Sequence, residues 1–250
     1  MNSLTALRTA FVVSATTCLA TAQNFNVDVG QPGSQPPASY AAAGIPGVWN
    51  SVLGTHTPPF TPGPTPSDIM LVDTHGNPTG VGFHQFGGMD YVTANDPSIG
   101  GNPAALLNDY LATHSTSLED CMYLNGLENG TYEVITYSWM PNSPSTIQNV
   151  RFDFNPGIDP VGGAWPGSHA EGITYSRRII EVTTGFIGWH VGIPGGGATH
   201  PGAALNGFQI RLLGTAAVPA LPTYGMVGLT ALLLLVGSRT LRRRQRQMAS

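Results

Sequence analysis

The chain has 250 residues, including 32 Gly and 21 Pro, and a formal net charge of −4. All 14 acidic residues lie within positions 23–216, where four Arg and no Lys oppose them. An acidic body of this kind excludes nucleic acid as a partner, because phosphates require a basic surface.

The first 22 residues are typical of a secretory signal peptide. They contain one Arg, a short apolar run at Ala10–Val13 and an Ala-x-Ala cleavage pattern at Ala20–Ala22. The apolar run is too short to span a membrane. We therefore predict an exported protein whose folded domain covers residues 23–215.

Cysteine usage indicates a domain without disulfides. Cys18 would leave with the signal peptide, so Cys121 would have no partner in the mature chain. The residues around Cys121 favour a buried side chain that packs as a small apolar group over a reactive thiol.

Residues 23–215 contain short runs rich in Val, Ile, Tyr, Phe and Trp, which Gly and Pro separate. This texture predicts an all-β domain with many turns. The predicted strands are Phe25–Val29, Ile69–Val72, Val81–Phe86, Cys121–Leu124, Tyr132–Trp139, Asn149–Phe154, Thr174–Thr183, Phe186–Val191 and Leu205–Leu212. Residues 55–68 form a Pro-rich loop that cannot pair in a sheet.

Two local patterns add detail. Asn129-Gly130 has the turn chemistry of a hairpin between the strands at 121–124 and 132–139. In the second of these strands, the face with Ile135 and Tyr137 is the more apolar and is predicted to point at the core.

One stretch is predicted to be helical, Pro103–Ala112, with Asn102 as its cap. Many strands with a single short helix predict a β-sandwich, and among sandwiches a jelly roll.

No catalytic motif is found: the sequence lacks a nucleophile elbow, a zinc-protease motif and a phosphate-binding loop. The most suggestive stretch is 155–178, which combines one Trp in a Gly/Pro loop with several polar side chains. We predict a ligand-binding loop whose residues are Trp165, His169, Glu171, Tyr175 and Arg177. In the alternative interpretation, Trp165 plugs the end of the core and the polar residues form turns.

The segments NFNVDVGQPG, GLENGTYEVITYSW and LNGFQIRLL resemble the first, middle and last strands of galactose-binding-like jelly rolls, which include malectin-like and related carbohydrate-binding modules. The resemblance covers most of residues 24–213. It implies a carbohydrate-binding role, and it implies a structural calcium ion near the ends of the first and last strands. The oxygen donors in suitable places are Asp28, Asp153 and Asn206, and no other cofactor is expected.

Residues 218–238 are predicted to form a transmembrane helix, because 218–237 is an uncharged run about one bilayer long. The Arg-rich tail at 239–250 would then be cytoplasmic. A short motif, one apolar helix and an Arg cluster resemble the exosortase sorting signals of bacterial surface proteins, the PEP-CTERM and IPTL-CTERM kinds. The motif positions are Val218, Pro219, Leu221, Tyr224 and Gly225. This resemblance implies an exosortase-like partner, and an ordinary C-terminal anchor is the alternative.

The sequence thus predicts an exported protein of the cell surface or extracellular matrix with a carbohydrate-binding role. Two alternatives stay open. One is a glycan-active hydrolase on the same fold, for which Glu171 and Asp159 could be the carboxylate pair. The other is a structural biofilm component without a ligand.

Overall fold

The structure is a computed structural model that describes residues 23–53, 69–86, 89–113, 119–192 and 202–215. The predicted signal peptide, Pro-rich loop, membrane span, sorting motif and Arg-rich tail lie outside these ranges and stay predictions. Within the described ranges, no helix combines the length and the apolar character that crossing a membrane requires.

The described part of the chain contains thirteen strands and one short helix. The strands are β1 (Phe25–Val29), β2 (Trp49–Val52), β3 (Ile69–Val72), β4 (Pro78–Phe86), β5 (Met89–Thr93), β6 (Asp109–Thr113), β7 (Glu119–Asn125), β8 (Gly130–Tyr137), β9 (Gln148–Phe152), β10 (Asn155–Val161), β11 (Tyr175–Val182), β12 (Phe186–Gly192) and β13 (Gly207–Thr215). The helix, α1, is Gly101–Leu107.

These strands form two large sheets and one small sheet. The five-stranded sheet has the order β11-β8-β13-β1-β2, and the six-stranded sheet has the order β10-β9-β12-β7-β4-β3. The small sheet pairs β5 with β6. Strands β1 and β2 run parallel, whereas the other described pairs of the large sheets run antiparallel.

The main core lies between the two large sheets. Phe208 of the five-stranded sheet contacts Phe83 and Trp189 of the six-stranded sheet, with ring centroids 5.2 and 5.0 Å apart. All three side chains are buried, and each contributes about 2–3 kcal/mol through the apolar area it removes from water. Two sheets around one core confirm the predicted all-β sandwich with one short helix. The jelly-roll assignment stays a prediction.

The five-stranded sheet is also buried on its outer face. Ile135, Tyr137 and Trp139 belong to a second apolar cluster there, whereas Tyr132 and Val134 point into the main core. Both faces of β8 are therefore buried, and the face that the sequence predicts to point at the core packs into the second cluster. The rule that the more apolar face points inward assumes that the other face meets water, whereas here the six-stranded sheet covers one face and loops with helix α1 cover the other.

Helix α1 is shorter than the sequence predicts. The pattern indicates a helix over Pro103–Ala112, but the helix ends at Leu107 and residues Asp109–Thr113 form strand β6. In that strand, Leu111 exchanges both backbone hydrogen bonds with Leu205, at 2.8 and 3.0 Å. Strand pairing therefore overrides the local helical periodicity.

Strands β7 and β8 do not form the predicted hairpin, because they belong to different sheets. Asn129 and Gly130 instead lie where the chain crosses between the sheets, and Asn129 Oδ1 accepts a hydrogen bond from Gly185 N at 3.0 Å. Turn chemistry predicts where the chain reverses but not which strand becomes its partner.

Candidate functional site

The five residues that the sequence predicts as a ligand site do come together, over the outer face of the five-stranded sheet. The rings of Trp165 and His169 meet edge to face at 5.8 Å. Arg177 lies 5.7 Å from the centre of the Tyr175 ring, and its Nε is 3.6 Å from Glu171 Oε2.

Within this cluster, His169 is bound by its neighbours. Tyr40 O–H lies 2.6 Å from His169 Nε2, and Thr174 Oγ1 lies 3.4 Å from its Nδ1. Burial lowers the pKa of His169 to about 4, so the ring is neutral at physiological pH. The half-buried Trp165 packs against the buried Trp139, with ring centroids 6.2 Å apart. With these contacts, the cluster packs in the way a small apolar core does.

Arg177 is also engaged inside the chain. Its guanidinium donates to the Glu133 carboxylate and, at 3.0 Å, to the carbonyl oxygen of Ala43. Because the polar groups that would recognise a ligand already have partners, ligand binding by these five residues stays a prediction.

A different feature has the shape of a binding site. A cleft of about 600 Å³ opens where β11 of the five-stranded sheet approaches β9, β10 and β12 of the six-stranded sheet. The buried side chains of Ile180 and Ile187 line its base. Hydrogen-bonding side chains line its rim, and they are Asp153, Asn155, Glu181, Thr183 and Thr184.

Phe154 lines this cleft with 98% of its surface exposed, the largest exposure among the large apolar side chains described. It occupies the turn between β9 and β10 with a φ of 60°, a conformation that favours glycine. That backbone costs about 1 kcal/mol or more, and the exposed ring gains nothing from burial. Strain and apolar exposure at one residue together indicate a functional position.

Asp153 is fixed beside Phe154 by the six-stranded sheet. Its backbone N–H donates to Gly188 O at 2.8 Å, and its Oδ1 lies 3.0 Å from His190 Nε2. Because a carboxylate only accepts, Nε2 carries the proton, and Nδ1 faces Cys121 Sγ at 2.9 Å. A side chain at Gly188 would overlap Asp153 Oδ2, so this arrangement requires glycine there.

Arg178 joins the two walls of the cleft. It donates to the Asp159 carboxylate, to Asn155 Oδ1 at 3.1 Å and to Pro156 O at 3.1 Å. The carboxylates of Asp159 and Glu171, which the hydrolase alternative would require, are thus each paired with an arginine.

Aromatic rings continue from the cleft across the outer face of the six-stranded sheet. Phe186, which lines the cleft, lies 5.3 Å from Tyr123, and Tyr123 stacks on His84 at 4.5 Å. Phe186 therefore adds a second aromatic ring to the lining of the cleft.

The three predicted calcium ligands do not share one site. Asp153 lies on the six-stranded sheet and accepts from His190. Asn206 uses its Oδ1 to accept from Trp139 N at 2.7 Å. Asp28 is fully buried on β1. Among the residues described, no group of three or more His, Cys, Asp or Glu could hold a metal ion.

The sequence pattern does not single out Phe154, because the residue falls at the end of the predicted strand Asn149–Phe154. The run Asn155-Pro156-Gly157 that follows is a turn signature and indicates a chain reversal here. It does not indicate that the ring of Phe154 is left in solvent.

No protein-family model and no curated protein matches this sequence. Several solved structures overlap part of this chain. A crystal structure of the plant peptide RALF23 in complex with FER and LLG2 overlaps 80% of this chain and 43% of its own, with 11% identity and a TM-score of 0.43. The beta-glucuronidase of Bacteroides uniformis overlaps 76% of this chain and 18% of its own, with 11% identity and a TM-score of 0.40.

A family 35 carbohydrate binding module from Clostridium thermocellum overlaps 52% of this chain and 90% of its own, with 12% identity and a TM-score of 0.27. The present chain thus spans less than half of the first structure and about a fifth of the second. At these scores the overlaps carry no argument about function, which has to come from the site itself.

Proposed function

We propose that the protein binds carbohydrate in the cleft at Phe154. The observation that carries this proposal is a fully exposed aromatic ring on a strained turn, beside a cleft with a polar rim.

The chemistry of the cleft matches that of a sugar ring. A pyranose has an apolar C–H face, which can stack on an aromatic ring such as Phe154 or Phe186. Its hydroxyls are donors and acceptors at the ring edge. The carboxylates of Asp153 and Glu181 can accept from them, and the hydroxyl of Thr183 can do both. A mainly apolar base with a few polar groups at the edge is typical of small-molecule sites.

A binding role is favoured over hydrolysis. A glycosidase needs two carboxylates that are both available to the scissile bond. Asp153 and Glu181 both line the cleft, but Asp153 already accepts a hydrogen bond from His190. Asp153 is therefore better suited to holding a hydroxyl than to carrying a glycosyl group.

The test is a glycan array with the full chain, followed by affinity measurements for the variants Phe154→Ala and Phe154→Trp. Loss of a side chain that becomes buried on binding should weaken affinity by about 10-fold or more. Since the ring is exposed in the free protein, Phe154→Ala should leave the melting temperature nearly unchanged. Phe154→Trp keeps an aromatic face and should retain binding.

Met70→Ala is the matched control, because Met70 is 57% exposed on β3, at the opposite edge of the same sheet from β10. Equal affinity of Phe154→Ala and the natural protein would refute the site. Absence of any glycan ligand would favour the structural alternative.

We further propose that the protein acts at the cell surface or in the extracellular matrix. The support is in the sequence: a leader of signal-peptide type at 1–22 and a C-terminal segment that resembles exosortase signals at 218–250. Intact-mass analysis of protein recovered from cells with and without the sorting enzyme tests this. Full-length C-termini in both strains would instead indicate that the C-terminal segment is an ordinary membrane anchor.

A further inference from the structure

A cysteine, a histidine and an aspartate form a hydrogen-bonded triad on the outer face of the six-stranded sheet. Cys121 lies on β7, His190 on β12 and Asp153 directly after β9. Cys121 Sγ is 2.9 Å from His190 Nδ1, and His190 Nε2 is 3.0 Å from Asp153 Oδ1. Met122 and Leu124 of β7 belong to the main core, so the alternate residue Cys121 points away from it. Three strands thus bring the triad together.

The proton positions in the triad allow His190 to act as a base toward Cys121. The carboxylate of Asp153 can only accept, so the neutral imidazole carries its proton on Nε2 and its Nδ1 lone pair faces the sulfur. A base within hydrogen-bond distance of a nucleophile, and itself oriented by a third group, is the arrangement that activates nucleophilic side chains.

The surroundings of Cys121 also favour a reactive thiol. The sequence predicts that this residue is buried and packs as an apolar group, but its side chain is partly exposed. Arg151 of β9 is the register partner of His190, so its positively charged side chain leaves the sheet on the same face. Partial exposure beside an imidazole and near a cation is the setting in which a thiolate forms at neutral pH.

We propose that Cys121 is a modification site whose thiolate exchanges with small disulfides. The proton of Cys121 Sγ moves to His190 Nδ1, and the thiolate attacks one sulfur of the disulfide. The S–S bond of the small molecule breaks, and its other sulfur leaves with the electron pair and takes up the proton from His190. The products are a mixed disulfide on Cys121 and one small thiol, so Cys121 is oxidised and the small disulfide is reduced.

Exchange with a disulfide fits the position of Cys121 better than acyl transfer does. Acyl transfer passes through an oxyanion, which requires N–H donors aimed at it. Cys121 lies on a central strand between β4 and β12, where the backbone N–H groups serve the two ladders. Disulfide exchange forms no oxyanion and needs no such donors. Small disulfides persist in oxidising environments, which agrees with the predicted export, and the proposal does not depend on carbohydrate binding.

The test follows the reaction of the full chain with bis(2-hydroxyethyl) disulfide, an uncharged probe, by intact-mass analysis. Cys18→Ser is present in every sample, so that Cys121 is the only thiol. The same chain unfolded in urea gives the reference rate of a thiol without assistance. At about pH 6 the folded protein should react about 10-fold faster than the unfolded chain, because less than about 1% of unassisted thiols are ionised there. A cysteine that is only packed would react more slowly when folded.

Two histidine variants locate the base. His190→Gln should lower the rate of the folded protein at pH 6 to that of the unfolded chain or below it. The matched control is His75→Gln, which removes an exposed imidazole from the turn before β4 and should keep the fast reaction. Asp153→Asn leaves the base in place but removes the charge that orients it, so we expect an intermediate rate.

The pH profile separates activation from packing. Among the side chains described on this face of β4, β9 and β12, the titratable or charged groups are His84, Arg151, Asp153 and His190. Between about pH 7 and pH 9 the natural rate should rise by less than about 5-fold, whereas that of His190→Gln should rise by more than about 10-fold.

Two results would overturn the proposal. One is a folded natural protein that reacts no faster than the unfolded chain at pH 6, and the other is a folded His190→Gln variant with an undiminished rate. If His190→Gln does not fold, the comparison of the folded and unfolded natural protein decides alone.

Discussion

The partly buried imidazole of His169 should make the protein sensitive to mild acid. In the folded protein its pKa is about 4, because burial penalises the charged ring, compared with 6.5 for a free histidine. The groups that face it are the hydroxyls of Tyr40 and Thr174 and the rings of Tyr137 and Trp165, all uncharged in this range. Protonation therefore finds no compensating carboxylate.

The direction in which the free energy of unfolding changes with pH follows from proton binding to His169. As the pH falls through 6.5, the unfolded chain takes up a proton on His169 and the folded protein does not, until about pH 4. Stability from this residue is thus present above pH 6.5 and is lost between pH 6.5 and pH 4. The difference between the two pKa values corresponds to roughly 3 kcal/mol of unfolding free energy.

The assay is urea unfolding of the full chain at several pH values, with His169→Gln as the variant. Other groups titrate in the same range, so the relevant quantity is the difference between the natural protein and the variant. The advantage of the natural protein should shrink by roughly 3 kcal/mol from about pH 7 to about pH 4. The exposed His75 provides the surface control His75→Gln. A flat difference for His169→Gln would refute the reasoning.

Two further substitutions separate the cleft from the aromatic cluster under the 162–174 loop. Trp165→Ala should cost about 2 kcal/mol in urea unfolding, less than a fully buried Trp, because the Trp165 side chain is only partly buried where it packs on Trp139. It should leave glycan affinity unchanged. Weaker binding with intact stability would instead support the site predicted from the sequence. Gly188→Ala should displace the Asp153 carboxylate, cost about 1–3 kcal/mol and weaken glycan binding in the same array. A variant with unchanged affinity would show that Asp153 makes no contact with the ligand.

The sequence predicts strands well where apolar residues dominate. Strands β1 and β3 have the bounds that the pattern indicates, and the predicted runs at 186–191 and 205–212 overlap β12 and β13. It misses β10, whose sequence Asn-Pro-Gly-Ile-Asp-Pro-Val is poor in strand formers. β10 is an edge strand, where proline is tolerated because one side of the backbone needs no partner. Local composition does not show whether a strand lies at the edge of its sheet.

The candidate site is harder to predict than the fold. Asp153 and Phe154 appear in the sequence as the end of a strand of alternating character, so Phe154 would share the buried face of Phe152. The turn between β9 and β10 changes that direction, and the cleft beside it exists only because β11 comes from the other sheet. Likewise, Cys121 and Asp153 lie 69 and 37 positions from His190 in the chain, and only the fold brings the three together.

The position of β13 has a consequence for how the chain reaches its native state. β13 lies between β8 and β1, and it pairs Ile210 with Phe25, almost the full length of the domain away. The parallel pair β1–β2 is joined to the rest of its sheet only through β13. Pairings this distant in sequence make folding slow, on the order of milliseconds to seconds, because loop closure must come before the stabilising contacts. A growing chain therefore carries an incomplete sheet with open strand edges until residues 207–215 arrive, and chaperone binding or aggregation would compete with folding during that interval.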